Sequence, residues 1–289
     1  MLTTVLQLII SGIATGFIYS LVATEYTLVF NSTALLNFGH DKFIMLGAYI
    51  MLFTFVKSLG MPYIPAILIT LIVMFLLGII TAYGIFNPLR TMSSRLYAGI
   101  GTLVLGRIIQ EASRLFYGAI PAQVAYLSGV VTIFGLRVTR ANIAIIVFST
   151  LIIVSLTLFL QKTKTGKAMR CINQNKTAAA LMGINVTWHI AFITGISIMI
   201  CGVLGVLIAP LVNVSTTMSG TFGTKGFAAG IIGGFGNLPG AIIGGLLLGV
   251  VENLSVLVLP AVYKDIVSYV IMIAFLLIKP TGLMGEHNT

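Results

Sequence analysis

Three carboxylates and one histidine within apolar stretches are the residues of this sequence best suited to chemistry. Glu25, Glu111 and Glu252 each lie in or beside a long apolar run, and His40 directly precedes Asp41. An ionisable side chain inside a membrane is costly, so each of these is a candidate functional group. The glutamates would suit the proton or cation sites of an ion-coupled secondary transporter. His40 and Asp41 would suit the acid–base pair of a membrane enzyme.

Each of these groups also has a structural interpretation. Glu25 can lie at a helix end in the headgroup region, or it can pair with a base such as Lys42. His40 can be a hydrogen-bonded structural group. Arg107 and Glu111 are four residues apart on a predicted helix, so they share a face and can form an ion pair within the bundle. The residues alone leave the functional and structural interpretations of Glu25 both open.

A second chemical pattern is the basic stretch from Gln161 to Trp188, which contains Lys and Arg but no acid. A basic connection between two apolar runs stays on the cytoplasmic side, because Lys and Arg resist translocation. Within it, Lys176 to Met182 is rich in good helix formers. Asn173 or Asn175 can cap the start of this helix, and Gly183 suits a left-handed residue at its end. We therefore predict a short helix outside the bilayer, which either contacts a partner or only fixes the topology.

The composition indicates whether these groups belong to a soluble protein or to a membrane protein. The chain has 289 residues, of which 58% are hydrophobic and 8% charged, whereas soluble domains carry about 25% charged residues. The prediction is an all-α integral membrane protein, a single transmembrane domain over residues 1–289 with the cytoplasmic loop at 161–188. Its length allows about eight to ten membrane-spanning helices. The formal charge of +10 reflects the excess of Lys and Arg in cytoplasmic loops, and no nucleic-acid partner is expected.

The order of apolar and polar segments predicts the topology. The N-terminal run lacks a basic flank, so we interpret it as the first membrane span and not as a signal peptide, with the N-terminus outside and the C-terminus cytoplasmic. Asn31 to Lys42 is expected to be a broken or re-entrant segment. Gly118 to Arg140 is expected to be an ordered extracytoplasmic segment with short strands, and Pro210 to Lys225 is expected to lie outside. The glycine-rich run from Gly226 to Gly245 predicts a helix break or a close helix crossing. A weak similarity between two stretches of the chain also suggests an inverted repeat.

Several chemistries have no motif in this chain. The sequence contains no GxxxxGK[ST], HExxH, CxxC or GxSxG pattern. A chain without the first of these cannot cradle the phosphates of ATP by itself. The expectation is therefore that the chain is not an enzyme, binds no metal or cofactor, and forms a path for a small solute.

Several stretches, in the same order along the chain, resemble the permeases of branched-chain amino acid ABC importers. They are Asn37 to His40 with Phe43 to Tyr49, Gly166 to Asn185, Gly233 to Ala241, and Lys279 to Leu283. The resemblance covers essentially the whole chain and is nearer to the shorter of the two paired permeases.

The resemblance implies a permease subunit of an ATP-driven importer in a bacterial plasma (inner) membrane. The solute would be a small amino acid-like molecule, first of all a branched-chain amino acid. The implied partners are a second permease, two cytosolic ABC ATPases that carry ATP and Mg, an extracytoplasmic solute-binding protein and membrane lipid. The residues implied to couple to the ATPases are Gly166, Arg170, Ala178, Ala179, Leu181, Met182 and Gly183. The candidates for the substrate path are Glu25, Asn37, Phe38, His40, Gly233, Gly234 and Asn237.

The chain departs from the family pattern at a few charged positions. The family usually has a small residue in place of Glu25 and Gly-Glu in place of Asp41 and Lys42. Glu25 and Lys42 could form a charge pair that keeps the region neutral. Alternatively, Glu25 could bind a cationic group of the solute, which would favour another amino acid or an amide over a branched-chain amino acid.

Overall fold

The computed structural model describes residues 2–90, 95–124, 126–127, 129–133 and 135–285. Within these residues, six helices are long and apolar enough to cross a membrane, and further helices lie among them. The prediction of an all-α, multi-pass membrane protein is confirmed. The helices are α1 (Leu2–Thr33), α2 (His40–Tyr49), α3 (Tyr63–Thr81), α4 (Asn87–Arg90), α5 (Arg95–Tyr117), α6 (Arg140–Lys162), α7 (Lys164–Gln174), α8 (Lys176–Leu181), α9 (Val186–Ile208), α10 (Gly220–Gly233), α11 (Leu238–Leu254) and α12 (Lys264–Ile278).

Two helices continue beyond their α-helical part in a wider form. A π-helix from Ile50 to Ser58 extends α2, and another from Ala82 to Phe86 extends α3. The extension makes α2 long enough to reach the end of the bundle. There, Oγ1 of Thr54 lies 2.9 Å from the hydroxyl oxygen of Tyr117, the last residue of α5. The α2 segment and α5 therefore end together.

Close helix contacts at glycine form the centre of the bundle. Helix α11 packs along α1, and a Cβ atom on Gly249 would meet backbone atoms of Gly12 and Gly16. Helix α2 packs on α9 in the same way, since a Cβ on Gly47 would lie 2.6 Å from the Cα of Gly202. Because membrane helices gain little from the hydrophobic effect against each other, such close backbone approach supplies much of their contact energy.

The helical conformation is interrupted between α1 and α2, as the sequence predicted, and this non-helical segment is called the break below. Ala34 has a φ of 60°, and the residues up to Gly39 are not helical. Side chains satisfy the exposed backbone groups of this break: the amide of Phe38 donates to Thr102 Oγ1 at 3.1 Å, and that of Gly39 to Asn37 Oδ1 at 3.0 Å. Non-helical backbone is tolerated inside a membrane only when it is satisfied in this way.

A second break separates α10 from α11. Gly234 and Gly236 have φ values of 103° and 94°, which favour glycine. The side chain of Asn237 then caps α11 by accepting a hydrogen bond from the amide of Gly240 at 3.0 Å. The glycine-rich run thus contains both a break and close crossings, whereas the inverted repeat stays a prediction.

Short strands occur in the segment between α5 and α6, as predicted. Strand β1 (Val130–Ile133) pairs antiparallel with β2 (Leu136–Thr139). Tyr126 in this segment donates a hydrogen bond to the carbonyl of Val206. Burial raises the pKa of Tyr126, which keeps the hydroxyl in its donating form.

The two ends of the bundle differ in what covers them. The hairpin lies beside the first half of α1, where Asn142 donates to Ser11 at 3.4 Å. The α7–α8 segment covers the other end, where Arg170 and Asn173 line a small cavity with Asn31 and Ser32. The basic loop and the extracytoplasmic segment predicted from the sequence therefore lie at opposite ends.

Two predicted placements are wrong. Lys225 was expected outside with the polar segment before it, but it is buried on α10. Arg107 and Glu111 do not pair: Arg107 donates to Gln110 at 3.1 Å, whereas Glu111 faces Arg114 at 3.9 Å. The side chain of Glu111 is 61% exposed, so it also lies outside the core of the bundle, because its face of α5 points away from the other helices.

Candidate functional site

The helix predicted within the basic loop is present. Asn175, and not Asn173, caps α8 by accepting a hydrogen bond from the amide of Ala178 at 3.0 Å. Gly183 follows the helix with a φ of 81°, the left-handed conformation expected there. The preceding helix α7, which the sequence analysis did not identify, connects α8 to α6.

Two large apolar side chains form the tip of this segment. Leu181 is 86% exposed and Met182 is 70% exposed. Ala178 and Arg170 are also exposed. An apolar pair on a short, capped helix at the end of the bundle is the kind of surface that binds a partner.

Two of the residues predicted to couple to the ATPases are buried, whereas the others named above are exposed. Ala179 is buried, so it faces this chain and not a partner. Gly166 is also buried, and a Cβ at this position would lie 2.6 Å from the Cα of Leu160. Its lack of a side chain lets α7 turn closely against α6. Both residues therefore support the segment from within, because the faces of α7 and α8 that carry them point toward the bundle.

A fully buried cluster surrounds Glu25. Its Oε1 atom accepts hydrogen bonds from His40 Nδ1, from Ser197 at 3.1 Å and from Cys201 at 2.7 Å. The predicted pairing of Glu25 with Lys42 is wrong, since Lys42 lies 2.6 Å from Asp41. Glu25 is also not at a helix end, because α1 continues two turns beyond it.

The same contacts bear on the predicted acid–base pair. His40 turns toward Glu25, and Asp41 turns toward Lys42, so these adjacent residues face different partners. They do not form one site. The chemistry expected of an intramembrane enzyme with this pair therefore has no geometric basis here.

Glu25, His40 and Cys201 also merit a test as metal ligands, because their donor atoms all lie within 4.8 Å of one another. Tetrahedral bonds of about 2.0–2.3 Å hold two ligand atoms more than about 3 Å apart. The Oε1 atom of Glu25 is only 2.7 Å from the sulfur of Cys201. In this arrangement the three groups are joined by hydrogen bonds at Glu25 Oε1, and this oxygen and the sulfur of Cys201 are too close together to bind one metal ion.

Phe38 alone among the predicted substrate-path residues forms an outer wall. Two cavities of about 400 and 430 Å³ lie on one face of the bundle, and Phe38 and Leu103 line both. Glu25, Asn37 and His40 are buried behind this wall. They hold the break between α1 and α2, and thereby fix the direction of Phe38.

Gly233, Gly234 and Asn237 hold the C-terminal segment. The amide of Met284 donates to the carbonyl of Gly233 at 3.0 Å, and Asn237 donates to the carbonyl of Met284 at 2.9 Å. A Cβ on Gly234 would lie 2.9 Å from the Cα of Gly285. The structure thus gives these three residues a structural task, and their position along the substrate path stays a prediction.

A second charged cluster was missed by the sequence analysis. Lys225 donates to Glu252 at 2.8 Å and to Asp265 at 2.6 Å. Glu252 also accepts hydrogen bonds from Tyr19 at 3.1 Å and from Ser268 at 2.7 Å. Glu252 could be recognised from the sequence as an acid within an apolar run. Lys225 could not, because it ends a polar stretch that was assigned to the outside.

Comparisons with known proteins agree on one family. Residues 8–276 match the family described as branched-chain amino acid transport system / permease component. The high-affinity branched-chain amino acid transport system permease protein LivH of Salmonella typhimurium is 32% identical, over 97% of this chain and 96% of its own. The corresponding protein BraD of Pseudomonas aeruginosa is 30% identical over 97% and 96%.

A solved structure also resembles the chain at low similarity. PsaBC from Streptococcus pneumoniae in complex with Fab has a TM-score of 0.49 and 15% identity, and the match covers 95% of this chain and 91% of that chain. A likeness at this level supports no further conclusion.

Proposed function

The chain belongs to the family of permease components of branched-chain amino acid transport systems, and from this membership we propose that it is a permease subunit of an ATP-driven importer. It moves a small amino acid-like solute across the membrane, first of all a branched-chain amino acid. An extracytoplasmic binding protein hands this solute over.

The proposal includes a division of labour. A second permease completes the path, and two cytosolic ABC ATPases bind and hydrolyse ATP with Mg. The chain itself binds no cofactor and lies in the bacterial inner membrane. The α7–α8 end of the bundle faces the cytoplasm, and the hairpin end faces outward. This orientation is supported by the basic residues of the α7–α8 loop, and it leaves the N-terminus outside and the C-terminus in the cytoplasm.

The exposed pair Leu181 and Met182 carries the proposal. These side chains lie on the connection between α6 and α9, outside both of these membrane-length helices. Their helix is held by the Asn175 cap and by the turn at Gly183. A rigid helix with an apolar tip can fill a pocket on an ATPase and transmit its motion, since buried apolar anchors carry most of the energy of an interface.

The test is co-purification of the tagged chain from its native membranes in mild detergent. We expect an ATPase with a Walker A motif and a second permease in the eluate. The variant Leu181→Ala/Met182→Ala should retain the second permease but lose most of the ATPase, because two anchors together contribute on the order of 2–4 kcal/mol.

The matched control is Phe148→Ala/Leu151→Ala, two exposed apolar residues on the side of α6. This variant should retain both partners. A wild-type chain that repeatedly elutes without an ATPase would contradict the proposed function. Normal ATPase recovery with Leu181→Ala/Met182→Ala would remove α8 as the contact.

A second candidate, the ion-coupled secondary transporter, has one observation in its favour. Glu25 is fully buried, and its Oε2 atom has no hydrogen-bond partner, which leaves this atom free to bind a proton. The other two glutamates do not support it. Glu111 is exposed, and Glu252 is engaged by Lys225, Tyr19 and Ser268.

A further inference from the structure

The larger of the two cavities that meet at Phe38 has both an apolar and a polar wall. Its volume is about 430 Å³, within the range of about 300–1,000 Å³ typical of small-molecule sites. Phe227, Met272 and Leu276 contribute apolar surface from α10 and α12. Asp41 contributes a carboxylate at the start of α2. The cavity can therefore hold a molecule with an aliphatic part and a charged part.

Asp41 on this wall is paired with Lys42, so one negative and one positive charge lie side by side at the edge of the cavity. Lys42 Nζ lies 2.6 Å from Asp41 Oδ2, and the side chain of Lys42 is 14% exposed and that of Asp41 17% exposed. Neither is sealed in the core, so both can exchange partners. The pair has no net charge, and a solute with no net charge but two opposite charges is its electrostatic complement.

Glycines on two neighbouring helices hold this pair in place. A Cβ on Gly223 of α10 would lie 2.6 Å from the Cβ of Asp41, and one on Gly106 of α5 would lie 3.2 Å from Cγ of Lys42. A pair confined between two backbones is pre-organised, which lowers the entropy lost when a ligand binds.

We propose that this cavity binds the zwitterionic head of the solute in transit, with Asp41 receiving the ammonium group and Lys42 the carboxylate. The Asp41–Lys42 ion pair holds the site when it is empty and exchanges for two intermolecular pairs when the solute enters. The apolar wall then receives the aliphatic side chain. This inference rests on the proposed function, since it concerns the solute of that importer.

The second cavity gives the bound solute a way out. It lies toward the end of α1, where Phe30 and Leu36 line it. It shares two lining residues, Phe38 and Leu103, with the first cavity. A solute that leaves the Asp41–Lys42 pair toward the α7–α8 end must pass these two side chains. Phe38 thus lies between the site and the second cavity.

The competing explanation is that Asp41 and Lys42 form a structural ion pair. The two explanations differ for a variant that lacks both charges. If the pair is structural, each single variant leaves an unpaired charge, and the double variant Asp41→Asn/Lys42→Met should recover function. If the pair binds the solute, the double variant should transport as poorly as either single variant.

The experiment uses the complete importer, with its partners, reconstituted in liposomes, and radiolabelled leucine as the probe. Uptake and ATP hydrolysis are measured with saturating loaded binding protein for wild type, Asp41→Asn, Lys42→Met and the double variant. Glu111→Gln, an exposed acid beside Arg114, is the charge-matched control.

We expect the maximal uptake rate to fall by about tenfold or more in the three variants, because each loses a charged hydrogen bond to the solute. The leucine concentration at half-maximal rate, which the binding protein sets, should not change, and ATP hydrolysis should continue. Glu111→Gln should match wild type. Recovery of uptake in the double variant, or unchanged uptake in the single variants, would overturn the site while the proposed function stands. Absence of leucine uptake by the wild-type importer would overturn both.

Discussion

His40 Nδ1 donates a hydrogen bond to Glu25 Oε1 across the break between α1 and α2. Both side chains are fully buried, and the ring of His40 meets that of Tyr26 edge-on at 4.6 Å. The contact joins the middle of one membrane helix to the first residue of the next. It therefore determines the path of the non-helical segment that carries Phe38.

The first prediction concerns the strength of this contact. Glu25→Ala should lower the free energy of unfolding by about 3–5 kcal/mol, because it leaves His40 buried without its partner. His40→Ala should have a similar effect for the same reason. The double variant should be clearly less destabilised than the sum of the two, since the residues interact. Thermal unfolding in detergent measures all three, and additive effects would show that the pair is not coupled.

Glu25 also separates the two transport mechanisms. In the importer, Glu25→Gln keeps an acceptor for Ser197 and Cys201, so ATP-driven uptake should persist at a reduced rate. In an ion-coupled transporter the same change removes the site that binds the proton or cation. Complete loss of uptake, with the ATPase and second permease bound and ATP hydrolysis intact, would therefore favour the ion-coupled mechanism.

The turn after α8 makes a prediction about coupling. Gly183 has a φ of 81°, and no atom lies within 4 Å of where its Cβ would be. Gly183→Val is therefore disfavoured by backbone strain alone, at a cost of about 1–3 kcal/mol, which should redirect α8 and uncouple ATP hydrolysis from uptake. Gly183→Asn is the control, because asparagine tolerates this conformation. Equal uptake by wild type and the valine variant would refute a coupling role for the turn.

The buried network on α10 makes a prediction about stability. Lys225→Met should destabilise the chain by about 3–5 kcal/mol, because Glu252 loses its nearest cation in the interior. Lys225→Met/Glu252→Gln should recover part of this loss, since the two buried charges are removed together and glutamine can still accept from Tyr19 and Ser268.

The control for this network is Lys57→Met, at an exposed lysine on the π-helical extension of α2. It should change the unfolding temperature little. A Lys225→Met variant as stable as wild type would mean that the network contributes nothing to the folded state.

The crossing of α1 and α11 makes a prediction about packing. A methyl group on Gly249 would meet backbone atoms of Gly12 and Gly16, whereas one on Gly84 would meet nothing within 4 Å. Gly249→Ala should therefore destabilise the chain by about 1–3 kcal/mol through overpacking. Gly84→Ala should be neutral or slightly stabilising, because alanine favours the helical backbone. Equal unfolding temperatures for the two variants would contradict the close crossing.

Local features of the sequence were sufficient for the class of protein and for the short helix α8. Apolar runs of membrane length follow directly from composition. The Asn175 cap and the Gly183 turn depend on residues within one helical turn of α8. The break after α1 was visible for the same reason, because polar residues and a glycine interrupt an apolar run.

The tertiary structure decided which distant residues meet. Opposite charge suggested Lys42 as a partner for Glu25. In the structure, the rotation of α2 instead directs His40 to Glu25, and Lys42 pairs with Asp41. Lys225 looked like part of an external loop, and only the packing of α10 against α11 and α12 buries it beside Glu252 and Asp265.

The same distinction explains the residues whose burial the sequence did not predict. A motif identifies Ala179 or Gly234 as part of a stretch, but it does not specify which face of that stretch points inward. Composition, capping and turn residues act over a few positions, so the sequence by itself determined the membrane class, the break and the short helix. Ion pairs, buried faces and cavities depend on the relative rotation of helices far apart in the chain, and only the folded bundle determines that rotation.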